Sequence, residues 1–216
     1  MSTYFVDGSF YSKKRGYGIV NQADVAGNTK AEQSLNNGGW NHRESDGEGY
    51  KTAYEMWENG TAVIGDRQVL VFRCDVKDFG TYKINLEFIA DNDITGMKIW
   101  SGRRNLVRDS FDLKKGQKYE TSFYVNVTPY IPALSSVPMM DKTIFISVSG
   151  MHAQLGKIEI LKEDVPVIWI AGDSTLTDQN AGFPYYPYGS CTGWAQILEC
   201  FAINVAVSNH AHSGLT

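Results

Sequence analysis

The stretch Tyr82-Lys83-Ile84-Asn85-Leu86-Glu87-Phe88 decides the fold of most of this chain. Its apolar residues recur at every second position, with polar or charged residues between them. A period of two puts one set on a buried face of a β-strand and the other on a solvated face. The pattern returns at Tyr119, Thr121, Phe123, Val125 and Val127, which alternate with Glu120, Ser122, Tyr124, Asn126 and Thr128. It returns again at Ile144, Ile146 and Val148, and at Leu155, Ile158 and Ile160. Turn residues separate the runs: Asp78-Phe79-Gly80, Asp91-Asn92-Asp93, Lys115-Gly116 and Gly150. Short strands with one-sided burial and no helical period predict an antiparallel β-sandwich of the jelly-roll type over residues 1–162. Pro129, Pro132 and Pro138 fall in a connection between two of its strands.

The texture changes at Lys162-Glu163-Asp164. Residues 165–170 read VPVIWI, nearly continuous apolar, which suits a strand covered on both faces of a parallel α/β sheet. Trp194, Ile197, Leu198 and Phe201 recur at i, i+3, i+4 and i+7, the stripe of an amphipathic helix. Residues 204–209, NVAVSN, form a second short strand candidate. Strand, helix and strand predict a βαβ unit over residues 165–216, following the sandwich of residues 1–162.

Composition bounds the possibilities. The 216 residues are 43% hydrophobic and 20% charged, enough apolar side chain for a packed core. Twenty Lys and Arg against 24 Asp and Glu give a net charge of −4, which argues against nucleic acid as a partner. No apolar run approaches the ~20 residues that span a bilayer, so no membrane partner is expected. Residues 1–8 lack a charged segment followed by an apolar one, so the expectation is a cytoplasmic protein, or a secreted one whose signal has been removed. Three cysteines (Cys74, Cys191 and Cys200) make neither a disulfide framework nor a zinc motif. Cys191 and Cys200 pair only if folding brings them together. No cofactor and no metal are expected.

The VPVIWI strand runs into Ala171-Gly172-Asp173-Ser174-Thr175. In α/β architecture reactive groups gather where parallel strands end. A small residue followed by polar ones turns the chain sharply and presents a hydroxyl there, although ordinary turns use the same residue types. GDSTLTDQ at 172–179, GWAQIL at 193–198 and NHAHSG at 209–214 together resemble the opening of an SGNH (GDSL-type) hydrolase, and more narrowly a rhamnogalacturonan acetylesterase-like carbohydrate esterase. The resemblance covers residues 165–216 and implies a three-layer α/β SGNH hydrolase domain. Members often carry an N-terminal galactose-binding-like β-sandwich, which agrees with the alternation read in residues 1–162. Carried over by position, Ser174 is the nucleophile, and the backbone N–H groups of Ser174 and Gly214 are oxyanion donors. A serine hydroxyl attacks only when a base takes its proton. Donors aimed at the tetrahedral oxygen then matter greatly, each worth on the order of 100- to 1000-fold in rate. A glycine at 214 lets the backbone approach the carbonyl closely.

The sequence departs from the family after that point. The family's Gly-x-Asn-Asp and Asp-x-x-His blocks, which supply a third oxyanion donor, the base and its acid, have no counterpart in these residues. His210 matches a family histidine that is not the base; His212, His42 and His152 are poor substitutes. A single βαβ unit of about 50 residues also cannot cover both faces of a parallel sheet. The remainder of the hydrolase domain is therefore expected from another polypeptide or another copy of this chain, and the 216 residues alone are expected to be nearly inactive.

Two readings follow. One is the N-terminal portion of a serine carbohydrate esterase that removes acetyl groups from plant-type glycan (rhamnogalacturonan, pectin or xylan) through an acyl-enzyme. The other is a non-catalytic glycan-binding module with a vestigial hydrolase tail. A lipid or thioester acyl substrate is a variant of the first. For sugar contact the candidates are Trp40 and Trp57, then Tyr50, Tyr54 and Trp100, because pyranose faces stack on aromatic rings; aromatics also build cores. Asp91, Asn92 and Asp93 suit a turn better than a calcium site. FPYYPYGSCT at 183–192 would sit beside the nucleophile as a pocket wall or a partner contact.

Overall fold

The computed structural model describes residues 1–19, 62–63, 69–102, 105–131, 138, 140–177, 193–212 and 214. The strands are β1 (Ser2–Phe5), β2 (Tyr17–Ile19), β3 (Ala62–Val63), β4 (Val69–Asp75), β5 (Gly80–Ile89), β6 (Ile94–Ser101), β7 (Asn105–Leu113), β8 (Lys118–Val127), β9 (Thr143–Met151), β10 (Gln154–Leu155), β11 (Lys157–Lys162), β12 (Val167–Ile170) and β13 (Ala206–Asn209). One 3-10 helix, Trp194–Phe201, lies between the last two.

Two antiparallel sheets make the sandwich. One has the order β1-β11-β5-β8 and the other β2-β4-β9-β6-β7; β3 and β10 form a small separate pair. The alternation read from the sequence sets the inner faces. Tyr82, Ile84, Leu86 and Phe88 of β5 are buried, as are Phe123, Val125 and Val127 of β8 and Ile158 and Ile160 of β11. From the opposite sheet come Leu70, Phe72 and Cys74 of β4, Met97 and Ile99 of β6, and Ile144, Ile146 and Val148 of β9. All of these belong to one continuous core. Aromatic pairs tie its margins. Phe111 and Tyr119, one from each sheet, stack with ring centres 4.6 Å apart, and Phe72 lies 5.7 Å from Tyr4. The fully buried Gln154 plugs the turn after β5: its Oε1 accepts from Asp91 N–H at 2.9 Å and its Nε2 donates to Ile89 O at 2.9 Å.

Asp91–Asp93 is a turn. Asp93 accepts from Lys114 Nζ and Lys115 N–H, both at 2.9 Å. The proline-bearing connection joins β8 to β9.

Beyond β11 the expectations need correction. β12 and β13 do pair in parallel, with Val167 opposite Ala206 and Ile170 opposite Asn209. The stripe at Trp194–Phe201 winds as a 3-10 helix, not as the expected α-helix. The VPVIWI strand is not covered on both faces: Ile168 is 41% exposed and Trp169 60%. The amphipathic stripe is not buried either, since Trp194 and Ile197 are exposed and Phe201 is 73% exposed. Both departures have one cause. Among the described residues β12 has β13 as its one strand neighbour. The helix meets β7 and β13, and among the described residues no further layer covers its outer side.

Phe72→Ala removes a ring from the middle of the sandwich core, where it is 1% exposed. The expected loss is about 3–5 kcal/mol, read as a lowered urea midpoint with the slope unchanged. A loss under ~1 kcal/mol would mean that the two sheets do not share this core.

Candidate functional site

The parallel register decides where the C-terminal loops go. With Ile170 opposite Asn209, the chain leaves both strands side by side at one edge. The pairing runs on past the strand ends: His210 N–H donates to Ile170 O and His212 N–H donates to Gly172 O, each at 2.8 Å. Residues 171–177 and 210–214 are thereby held together at the carboxyl ends of parallel strands, where α/β folds place ligands.

Ser174 stands exposed at the tip of the turn after β12. Asp173 builds this turn. Its Oδ1 accepts from Thr175 N–H at 2.9 Å and from Thr175 Oγ1 at 2.8 Å, while its carbonyl accepts from the N–H groups of Leu176 and Thr177 at 3.2 Å each. This is the self-bonding turn that short carboxylates favour. The Thr175 backbone N–H, and then its hydroxyl, hold the Asp173 carboxyl below the usual carboxylate range.

Two other blocks lock the turn from behind. Asn209 is buried; its Nδ2 donates to Leu176 O at 2.8 Å and its Oδ1 accepts from Ala211 N–H at 3.0 Å. Gly193 N–H donates to Thr177 O at 2.7 Å, and Trp194 N–H donates to Thr175 O at 2.9 Å. A side chain at 193 would place its Cβ 2.6 Å from Thr175 O and 2.7 Å from Thr177 N, so only glycine lets the helix start sit on the turn. The three segments GDSTLT, GWAQIL and NHAHSG, separate in sequence, form one hydrogen-bonded cluster in space.

Gly214 is exposed, with φ +88° and no atom within 4 Å of where a Cβ would lie. That leaves open space beside its backbone. His210 Nε2 pairs with Ser208 Oγ at 3.0 Å, and the His210 ring packs 5.2 Å from that of Trp169. His152 occupies a turn after β9 with φ +55°. Trp40 and Trp57, with Tyr50, Tyr54 and His42, lie outside the described residues, as do 183–192 and with them Cys191. Trp100 is half-buried, its indole N–H without a partner among the described residues. The thiol of Cys200 donates to Leu106 O at 3.1 Å. Among the described residues no group of three His, Cys, Asp or Glu side chains is placed to hold a metal ion.

Two features escaped the sequence reading. A crevice of about 60 Å³ separates the ends of β8 and β9 from β13, lined by Asn126, Tyr130, Asp141, Phe145, Asn209 and His210 among others. Burial raises the Asp141 carboxyl above its ordinary range. The second feature is Glu199, a helix carboxyl sealed against β7 and 4% exposed. No local pattern marks either, since both arise where segments distant in sequence meet.

No family model matches this chain, and no curated protein matches it. Among solved structures it is similar to a family 35 carbohydrate-binding module from Paenibacillus barcinonensis, at 10% identity and TM-score 0.35, covering 76% of this chain and all of that one. A family 35 module from Clostridium thermocellum is similar at 10% identity and TM-score 0.31, over 51% of this chain and 87% of that one. It is also similar to part of a family GH115 4-O-methyl-α-glucuronidase, at 9% identity and TM-score 0.34, over 52% of this chain but 15% of the enzyme's length. At these scores the sandwich assignment rests on the strand pairing itself.

Asn209→Leu deletes the side-chain hydrogen bond that ties the 172–177 turn to the 209–214 segment, and the one that Ala211 N–H makes within that segment. The expected local loss is about 1–3 kcal/mol, because Leu176 O and Ala211 N–H are left unpaired. Faster amide exchange at Ala211 and His212, with β5 and β8 unchanged, is the result to look for; unchanged exchange there would show that the cluster is held otherwise.

Proposed function

We propose that this chain is a glycan-directed protein, in which the sandwich recognises carbohydrate and the segment from β12 onward is the opening part of a serine carbohydrate esterase. The observation that carries the reading is the cluster around Ser174. Ser174 is exposed at the carboxyl edge of a parallel strand pair, in a turn braced by Asp173, Gly193 and Asn209, and His212 N–H bonds Gly172 O at the same edge. In this reading Ser174 Oγ attacks an acetyl carbonyl, the N–H groups of Ser174 and Gly214 receive the oxyanion, and water later releases acetate from the acyl-serine. The galactose-binding-like character of the sandwich and the acetylated plant-type glycan both follow from the resemblance to rhamnogalacturonan acetylesterase-like enzymes.

The two halves differ in what they need. Carbohydrate recognition requires nothing beyond the sandwich and its loops. Acyl transfer requires a base that the 216 residues do not supply in the family's pattern, since no Asp-x-x-His block occurs in them. The uncovered apolar surface of Ile168, Trp169, Ile197, Phe201 and Ile203 supports the same division, because a completed α/β domain would bury it. That remainder comes from another polypeptide, another copy or further chain. A non-catalytic glycan-binding module is the second reading, favoured by the lack of an Asp-x-x-His block in the 216 residues.

A fluorophosphonate probe read by intact mass separates the two. Labelling of Ser174 in protein carrying the completed domain, with acetate released from acetylated pectin or xylan fragments, supports the esterase. Ser174→Ala is then expected to lower acetate release at least ~1000-fold while glycan binding by calorimetry is unchanged. Glycan binding without labelling would leave the module reading. Faster turnover of long-chain esters than of acetylated glycan would overturn the substrate class.

A further inference from the structure

The 3-10 segment Trp194–Phe201 packs Ala195 and Leu198 on Ile170 and Val207 but also buries polar side chains. Its large apolar residues Trp194, Ile197 and Phe201 are exposed, while Gln196 and Glu199 are buried against the sandwich. The winding explains this. At three residues per turn, positions 196 and 199 fall on one face and 194 and 197 on another. At 3.6 residues per turn, Trp194, Ile197, Leu198 and Phe201 would share a stripe and Glu199 would leave it. Runs of 3-10 helix beyond three or four residues are uncommon, and this one has eight.

The seat itself is polar and unsatisfied. The buried Glu199 carboxyl meets the neutral side chains of Asn105 and Ser101 without a well-formed hydrogen bond, and Gln196 Nε2 has no partner among the described residues. Ser101 closes β6 and Asn105 opens β7, and both are neighbours of the Glu199 carboxyl. β7 also presents Arg108, whose guanidinium donates to Val107 O and Ser122 O, and Asp109, which pairs with Lys98 at 3.0 Å. The helix itself adds the Cys200 thiol, and β13 (Ala206–Asn209) carries no titratable side chain. Arg103 and Arg104, in the β6–β7 turn, lie outside the described residues. The neighbouring guanidinium of Arg108 and the donor Gln196 Nε2 make the seat unsuited to a cation.

We propose that Trp194–Phe201 is a two-state segment, seated on β7 while the Glu199 carboxyl is protonated and released when it ionises. A buried carboxylate with no paired charge is too costly to keep seated. Burial pushes the Glu199 carboxyl up from 4.5 to about 8, with Asn105, Ser101 and Arg108 opposing it weakly. The sign follows. Below about 4.5 the carboxyl is neutral in both states and seating is strongest. Between about 4.5 and 8 the released segment loses its proton and the seated one keeps it, so seating weakens by about tenfold per pH unit. Above about 8 it weakens no further. Release frees the segment to wind as an α-helix with its apolar stripe toward whatever completes the α/β domain.

Amide exchange of the whole 216-residue chain tests this, with rates corrected for intrinsic exchange. Protection of amides 194–202 is expected to fall about tenfold per unit from pH 5 to pH 8, and that of β5 and β8 to stay constant. Glu199→Gln keeps the shape of the protonated acid. It should match the wild type near pH 5 and lose the pH dependence, exceeding it by up to about a thousandfold at pH 8. The protection of β5 and β8 reports that the variant is folded. Equal pH dependence in both proteins, a wild type flat with pH, or a wild type better protected than the variant at pH 8 would each overturn the proposal. The last would mean that a cation holds an ionised Glu199 in its seat.

Discussion

An antiparallel sandwich covers itself, whereas a parallel sheet needs a layer on each face. That difference governs this molecule. Each sheet of residues 1–162 offers its alternating apolar face to the other, and the two close into one core through Phe72, Leu86, Met97 and Ile146. Among the described residues β12 and β13 have no such partner sheet. Hydrogen bonding satisfies their shared edge, but Trp169 on β12 and Ile203 just before β13 stand 60% and 81% exposed. The helix between them inherits the same deficit and settles on the nearest surface, the β7 edge of the sandwich.

The site gains its geometry from the part of this unit that is satisfied. The parallel register is short, four residues on each strand. It still suffices to bring the turn after Ile170 and the segment after Asn209 to one edge, and Asn209 then bonds across the gap. A serine hydroxyl in that position is a chemical opportunity, not yet a mechanism. Its nucleophilicity depends on a proton acceptor, and the nearby His210 already holds Ser208 Oγ.

The helix illustrates how winding and environment select a face. The i, i+3, i+4, i+7 spacing of Trp194, Ile197, Leu198 and Phe201 describes an α-helical stripe and is legible without coordinates. The observed winding breaks that stripe and gathers Gln196 with Glu199 instead. Burial of a carboxyl beside neutral Asn105 and Ser101, while tryptophan and phenylalanine stay exposed, is the reverse of what the hydrophobic effect favours. A protonated Glu199 makes the arrangement tolerable.

Local pattern carried much of this protein. The period-two runs at 82–88 and 119–127 fixed which side chains enter the core, because alternation and one-sided burial are the same fact seen in sequence and in space; β9 departs from it, buried at every position from Ile144 to Ser149. The blocks at 172–177, 193–198 and 209–214 marked the residues of the candidate site through their resemblance to a known arrangement. Pairing was another matter. Which sheet each strand joins, the winding of Trp194–Phe201, the burial of Glu199 and the crevice at Asp141 came only with the tertiary structure. Each depends on contacts between residues far apart in the chain, and on which surfaces find a partner, and neither is written in the spacing of neighbours.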